Sequence, residues 1–231
     1  MKRILKTCVI SVAIVIGVLL GTAYYFEGGL NFKYDTVQAI NLYGFDIPYA
    51  FDEEDKALIE SALSSGIIIK DDDTVDDNFV FIVATAYNEL DENVRKEFEK
   101  GGGKIYLNNN IVSDVDKSHS DANAYFHSKG NKYYIKMLKT GGYRSIKDTI
   151  THEMGHFVDY KLDRISKEDF WTEMCHREGF AAFMARNVND NLESESFAET
   201  ATLTGIKKVV FDKKYPGAYE FVKDQWNKVG K

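Results

Sequence analysis

The sequence predicts an α+β fold in which a small β-sheet precedes a mainly helical C-terminal half. Before residue 140, short apolar and aromatic runs lie between glycine-rich or acidic stretches, as strands between turns do. From Ser145 almost to the C-terminus, the apolar residues recur with helical periodicity. The 231 residues contain 44% apolar and 28% charged side chains, a composition typical of a globular protein.

The N-terminal segment carries the signature of export. Lys2, Arg3 and Lys6 precede an uncharged run over residues 7–26, and basic residues followed by an apolar stretch are typical of an export signal. As a helix, this run would span roughly 30 Å, the thickness of a bilayer core. We therefore predict that residues 1–26 are a signal peptide or, in preference, a signal anchor. Residues 27–231 would then form one domain outside the cytoplasmic membrane.

Charge and cysteine content exclude several kinds of partner and framework. The net charge is −7, and no Lys/Arg-rich block follows the N-terminus, so the sequence predicts no nucleic-acid partner. An acidic body gains nothing from anionic lipids, so membrane contact is expected only through the N-terminal segment. Cys8 lies in that segment, which leaves Cys175 without an intrachain disulfide partner. We expect Cys175 to be a small buried hydrophobe.

The segments before residue 140 predict helices and short strands. Helices are expected at residues 52–64, which begin with acidic residues, and at residues 88–100, which precede three glycines. The predicted strands are residues 67–69, 78–85, 104–107, 122–127 and 132–138. Residues 128–131 have the composition of a hairpin turn. The acidic run 71–77 lacks the glycine and the terminal glutamate of a calcium loop, so it is interpreted as a solvated loop.

Residues 152–156, with the sequence HEMGH, carry the strongest chemical signal. Positions four apart share a helix face, so His152 and His156 can bind one metal ion. Ser145 with Asp148 is predicted to cap this helix. Its apolar residues fall on a separate arc that can pack against the protein: Ile146, Ile150, Met154, Phe157 and Val158. The helix can therefore bury one side and present the other to a cleft.

Imidazole and carboxylate ligands favour zinc, and three protein ligands leave a fourth position for water. Glu153, next to His152, is placed to take a proton from that water as the water attacks a peptide carbonyl. The sequence thus predicts one zinc ion per chain, with Glu153 as the general base of a peptide-bond hydrolysis. The other interpretation is a helix with two surface histidines and no metal.

The third ligand is expected from a later helix. Asp159 and Leu162 stand where the extended motif would require glycine and histidine, which excludes that pattern. Residues 190–193 are predicted to cap a new helix, on which Glu195 and Glu199 share a face. We assign Glu195 as the ligand and Glu199 as the acceptor of a ligand histidine's N–H, with the reverse assignment left open.

Three stretches together resemble one family. They are THEMGHFVDY (151–160), ESFAET (195–200) and KYPGAYEFVKDQW (214–226). In this order and approximate spacing they resemble the anthrax lethal-factor-like zinc peptidases, which include the secreted Pro-Pro endopeptidases. The resemblance implies a zincin-like fold and a zinc endopeptidase whose substrate is a protein or peptide.

Carried over residue by residue, the resemblance implies that His152, His156 and Glu195 bind zinc and that Glu153 is the catalytic base. Asp159 also matches a family position, which implies a role in supporting the ligands or in packing beside them. Pro216 is expected to begin the last helix. Tyr219, Val222 and Trp226 of that helix are expected in the core.

One departure from the family concerns the oxyanion. Val188 stands where the family has a tyrosine, seven residues before the glutamate ligand. Loss of one such donor typically lowers the rate by about a hundred- to a thousandfold. Tyr143, Tyr160 and His176 are candidate replacements. The alternative function is that of a membrane-tethered pseudopeptidase, which would bind a protein partner through the cleft.

Overall fold

The computed structural model describes residues 50–108, 123–129, 132–139, 143–177, 192–206 and 215–231. The predicted N-terminal segment, residues 1–26, and Val188 lie outside this part, as do residues 190–191 of the predicted cap. Contacts group Phe51–Lys231 into one unit. Within the described ranges, no helix combines the length and the apolar character needed to cross a bilayer.

The first part of this unit contains three helices and four strands, and the four strands form a single described sheet. In chain order they are α1 (Glu53–Ser64), β1 (Ile68–Lys70), α2 (Asp77–Asn88), α3 (Glu92–Lys100), β2 (Lys104–Asn108), β3 (Ala124–Lys129) and β4 (Lys132–Leu138). The second part is helical: α4 (Tyr143–Lys161), a 3-10 turn (Ile165–Lys167), α5 (Asp169–Arg177), α6 (Leu192–Ile206) and α7 (Pro216–Lys228). The predicted order, a small sheet followed by helices, is confirmed.

Helix α1 confirms the predicted first helix, and its start has a clear cause. The Asp52 side chain accepts hydrogen bonds from the backbone N–H groups of Glu54 and Asp55, at 3.1 and 3.0 Å. The Asp55 carboxylate accepts from the Asp52 N–H in return. This reciprocal pair satisfies backbone donors that the first turn of a helix leaves open.

Helix α2 corrects the prediction of a strand at residues 78–85. A short, continuous apolar run fits a buried strand and a buried helix equally well. The Asp76 side chain decides between them, because it accepts a hydrogen bond from the Phe79 N–H at 2.9 Å and caps a helix. Helix α2 is buried on several sides, so its residues show little of the polar face that marks an amphipathic helix.

Among the described residues the sheet has the strand order β1-β2-β4-β3, which places β3 at an edge of this sheet. Strands β1, β2 and β4 are parallel, whereas β3 runs antiparallel to β4. The β3–β4 pair, with Phe126 opposite Ile135 and Lys129 opposite Lys132, confirms the predicted hairpin. Because the sheet lies against α4 through β3, this edge strand borders the helix that carries the HEMGH motif.

Helix α4 places the predicted apolar arc in the core. Ile146, Ile150, Met154, Phe157 and Val158 are each no more than 1% exposed. The helix begins at Tyr143, two residues before Ser145, so the prediction that Ser145 caps it is wrong. The sequence offers a capping residue at Ser145, but in the structure Ser145 lies inside the first turn of the helix.

Helices α4 and α6 approach closely at Gly155. A Cβ atom at this position would lie 2.8 Å from the Ala198 Cα, closer than Cβ atoms approach backbone in proteins, and 3.1 Å from the Ala201 Cβ, a tight contact. The absent side chain therefore allows the two helices to pack with little separation. This contact fixes the position of α6 relative to the HEMGH motif.

We expect Gly155→Ala to lower the free energy of unfolding. Overpacking costs about 1–3 kcal/mol, which exceeds the gain of up to about 1 kcal/mol that alanine brings to a helix. Urea unfolding of the full-length chain measures the difference, with Glu173→Ala, an exposed change on α5, as the control. An unchanged or increased free energy of unfolding would contradict the close approach of the two helices.

The C-terminal helices complete the core behind α4. Trp171 of α5 stacks on Phe221 of α7, with ring centroids 5.4 Å apart, and meets Phe197 of α6 edge-on at 5.5 Å. Pro216 begins α7, as predicted, because its missing N–H needs no partner in a first turn. Tyr219 and Val222 are buried, whereas Trp226 is only half-buried. Cys175 is 5% exposed and is buried as predicted.

Candidate metal centre

Helices α4 and α6 bring three potential ligands to one point. The Nε2 atom of His152 lies 3.1 Å from Oε2 of Glu195, and the Nε2 atom of His156 lies 3.3 Å from its Oε1. Ligand atoms of these three residues lie within 4.8 Å of one another, a spacing at which they could hold a metal ion. Two imidazole nitrogens and one carboxylate form the donor set of an open zinc site.

The second ring nitrogen of each histidine, Nδ1, also has a polar partner. Nδ1 of His152 lies 3.5 Å from Oε2 of Glu199, one turn along α6 from Glu195. Nδ1 of His156 lies 3.2 Å from the Ser194 hydroxyl. Such contacts hold the Nδ1 proton in place and leave Nε2 as the metal-binding atom. Glu195 thus faces Nε2 of both histidines, whereas Glu199 faces Nδ1 of His152.

Hydrogen bonds link Asp159 to His156 through Ser194. The Asp159 carboxylate accepts hydrogen bonds from the Ser194 hydroxyl at 3.2 Å, the Ser166 N–H at 2.8 Å and the Ser166 hydroxyl at 2.9 Å. Asp159 is fully buried, so these bonds compensate for its lost solvation. Sequence reasoning missed both serines. The position of Asp159, three residues after His156 on the same face, was the available signal.

The charges at this centre favour a cation. Burial disfavours a charged His152, but hydrogen bonds to Glu195 and Glu199 outweigh it and raise the pKa of His152 to about 10. Burial likewise opposes ionisation of Glu195, but the two histidines overcome it and hold the pKa of its carboxyl far below the usual range. In the metal-free protein a proton on His152 therefore neutralises part of the negative charge that a metal ion would neutralise.

Glu153 lies beside the three ligands in a different environment. It is 6% exposed, and burial raises the pKa of its carboxyl. The neighbouring His156 and His152, and a hydrogen bond from the Phe126 backbone N–H of β3, oppose this rise in part. Its Oε2 atom is buried and has no hydrogen-bond partner among the described residues. A buried oxygen of this kind suits a group that exchanges a proton with a bound water.

Two hollows open on either side of His152 and Glu153. The Thr202 hollow has a volume of about 290 Å³ and also borders Asn123, Asp148, Thr149, Glu199 and Thr202. The Arg164 hollow has a volume of about 430 Å³ and also borders Tyr125, Phe126, Ser128, Arg164 and Glu195. Ala124 of β3 contributes to both. The potential metal ligands therefore line a cleft that β3 also borders.

The candidate oxyanion donors do not all reach this cleft. The Tyr160 ring packs against Phe126 and Tyr133, with centroids 6.0 Å from each, and borders neither hollow. Tyr143 begins α4 and His176 lies in α5, but their side chains fall outside the described part. Their role in stabilising an oxyanion stays a prediction.

The fold is shared with a known peptidase. No family model matches the sequence, and no curated protein matches it either. Among solved structures, the chain is similar to the Pro-Pro endopeptidase PPEP-2 from Paenibacillus alvei, with a TM-score of 0.51 and 13% sequence identity, over 72% of this chain and 98% of that one. At this identity the likeness shows the fold, so the predicted zincin-like α+β architecture is confirmed.

We expect Glu199→Gln to weaken zinc binding by about 10- to 100-fold, the usual effect of removing an outer partner of a metal-bound histidine. Glutamine keeps the shape but removes the charge that faces Nδ1 of His152. Competition with a chromophoric chelator measures the affinity. Glu220→Gln, an exposed change on α7, serves as the control. An affinity equal to that of the unchanged chain would show that Glu199 does not act through His152.

Proposed function

We propose that this chain is a zinc-dependent endopeptidase with Glu153 as its general base. The observation that carries the proposal is the convergence of His152, His156 and Glu195 beside the buried, unpartnered Oε2 of Glu153. The open cleft along β3 supports it, because a peptide substrate needs access to that oxygen. The fold shared with a Pro-Pro endopeptidase is consistent with the same class of reaction.

In this proposal, His152, His156 and Glu195 would hold the zinc ion. When bound, zinc supplies a Lewis acid that lowers the pKa of water towards neutrality and polarises a carbonyl. Oε2 of Glu153 accepts the proton of the attacking water and delivers it to the leaving amine nitrogen. The Phe126 N–H holds the Glu153 carboxyl in place during both transfers.

The edge strand suggests how the substrate lies. The Asn123 carbonyl accepts from the Leu138 N–H, and bonding alternates along an antiparallel pair. Asn123, Tyr125 and His127 therefore direct their backbone groups towards β4. By the same alternation, the backbone groups of Ala124 and Ser128 point away from β4, on either side of Phe126. An extended peptide could pair with them as an added strand.

The chain is proposed to act outside the cytoplasmic membrane, because residues 1–26 have the composition of a signal peptide or anchor. Cell fractionation with externally added protease tests this. Digestion of the chain in intact cells is the expected result, and complete protection would contradict it.

A second candidate function is a pseudopeptidase that is tethered to the membrane and binds a protein partner. Val188, where the resembling family has an oxyanion-binding tyrosine, favours it. Zinc binding without turnover would support this function over hydrolysis.

The deciding experiment measures zinc content and peptide-library cleavage by the full-length chain, beside Glu153→Ala. One zinc per chain, with cleavage that disappears in the variant, would support the peptidase. One zinc with no cleavage in either protein would favour the pseudopeptidase. No zinc in either protein would overturn the proposed zinc peptidase.

A further inference from the structure

The two hollows of the cleft differ in the charge of their lining residues. Acidic side chains border the Thr202 hollow, namely Asp148, Glu153 and Glu199, and no lysine or arginine is among its described lining residues. The Arg164 hollow is also lined by Glu153 and Glu195, but it includes the basic side chain of Arg164. Among the described lining residues of both hollows, Arg164 carries the only permanent positive charge.

The backbone around Arg164 fixes where its side chain begins. Asp163 and Arg164 both have positive φ, 54° and 64°, which is uncommon for residues other than glycine. The Arg164 N–H donates to the Asp159 carbonyl at 2.8 Å, which turns the chain sharply after α4. The guanidinium then lies over the Tyr160 ring, 5.5 Å from its centroid. The positive charge is thus directed into the cleft by a defined turn.

The described contacts do not use up the donors of this guanidinium. Nη2 lies 3.5 Å from the Ser128 hydroxyl, and Nη1 lies 3.8 Å from Oδ2 of Asp159, both longer than a good hydrogen bond. Asp159 is already bonded by Ser166 and Ser194 at 2.8–3.2 Å. The Arg164 side chain is 41% exposed. A planar group with five donors in this state suits a carboxylate that arrives from solution.

We propose that Arg164, with Ser128, forms a subsite for an acidic side chain of the substrate. The inference rests on the proposed peptidase function and specifies its substrate class. Ser128 follows Phe126, which hydrogen-bonds to Glu153, by two residues, or roughly 7 Å along an extended strand. An extended peptide paired with β3 would therefore place a glutamate or aspartate about two residues from the cleaved bond.

The test compares zinc-loaded full-length chain, Arg164→Gln and Arg164→Lys on a randomised peptide library. Lys167→Gln, a nearby exposed charge removal, is the matched control. The unchanged chain and the control should favour glutamate over glutamine at one position by about five- to tenfold, in line with a partly exposed charged hydrogen bond. Arg164→Gln should remove this preference, and Arg164→Lys should keep part of it. The preference should also shrink as ionic strength rises.

A purely structural Arg164, present only to balance Asp159, predicts a lower melting temperature in Arg164→Gln with an unchanged preference. That result overturns the proposal, as does a library profile without acidic enrichment in the unchanged chain. If Arg164→Gln does not fold, two other results test the proposal. A glutamate preference that is undiminished in Arg164→Lys, or one that does not shrink as ionic strength rises in the unchanged chain, overturns it.

A binding selection separates this proposal from the peptidase. Zinc-loaded Glu153→Ala, with and without Arg164→Gln, selects from a displayed peptide library without turnover. Acidic enrichment that depends on Arg164, in a chain that cleaves nothing, would retain the subsite and reject the peptidase. Cleavage by the unchanged chain without acidic enrichment in either assay would retain the peptidase and reject the subsite.

Discussion

Glu153→Gln should lower the turnover of a cleaved peptide by about 10²- to 10⁴-fold while the chain still binds one zinc ion. Glutamine occupies the same volume but cannot accept a proton from water, and a positioned general base typically contributes a factor of this size. Glu153 lies beside the metal ligands without belonging to the cluster of three. This variant should therefore lose activity and keep its metal content.

The measurement is kcat on a peptide identified from the library, together with metal analysis of the same sample. Glu173→Ala, exposed on α5, should leave both unchanged. Turnover within a few-fold of the unchanged chain would exclude Glu153 as the base. A joint loss of zinc and activity would instead place Glu153 among the residues that maintain the metal centre.

Glu195→Ala should abolish stoichiometric zinc binding at micromolar metal concentrations. It removes the only one of the three clustered ligands that comes from α6. The loss should exceed the 10- to 100-fold expected for Glu199→Gln, because Glu199 acts only behind His152. This ordering tests the ligand assignment that the sequence left open between the two glutamates.

Thermal unfolding with and without zinc provides the second readout. A ligand bound only by the folded state at one hundred times its Kd stabilises that state by about 2.7 kcal/mol. The unchanged chain should melt at a higher temperature with zinc, whereas Glu195→Ala should show no such shift. If Glu199→Ala loses the shift and Glu195→Ala keeps it, the two roles are reversed.

Local signals were enough to predict most of the fold. The β3–β4 hairpin followed from two strand-like runs around a turn sequence, and α4 followed from its buried arc. Helix α2 was mistaken for a strand because residues 78–85 are apolar on every side, so no periodicity survives. Its cap, Asp76, lies in an acidic run in which no single residue stands out.

The candidate site was predictable where helical spacing determined it. His152 and His156 follow from a four-residue separation, and Glu195 follows from a similar argument together with the family resemblance. The Ser194 link to Asp159 and the position of Arg164 depend on how α6 and β3 pack against α4. Such contacts join residues about 35 positions apart in the sequence, and no periodicity encodes them.

The close contact at Gly155 has a consequence for the newborn chain. During synthesis the HEMGH segment leaves the ribosome well before Glu195, and α6 can reach it only by settling against the bare backbone of Gly155. Until then His152 and His156 lack the carboxylate of Glu195, so the candidate metal centre is incomplete. If the proposed function holds, the metal centre is therefore complete only once α6 has been synthesised and has packed against α4.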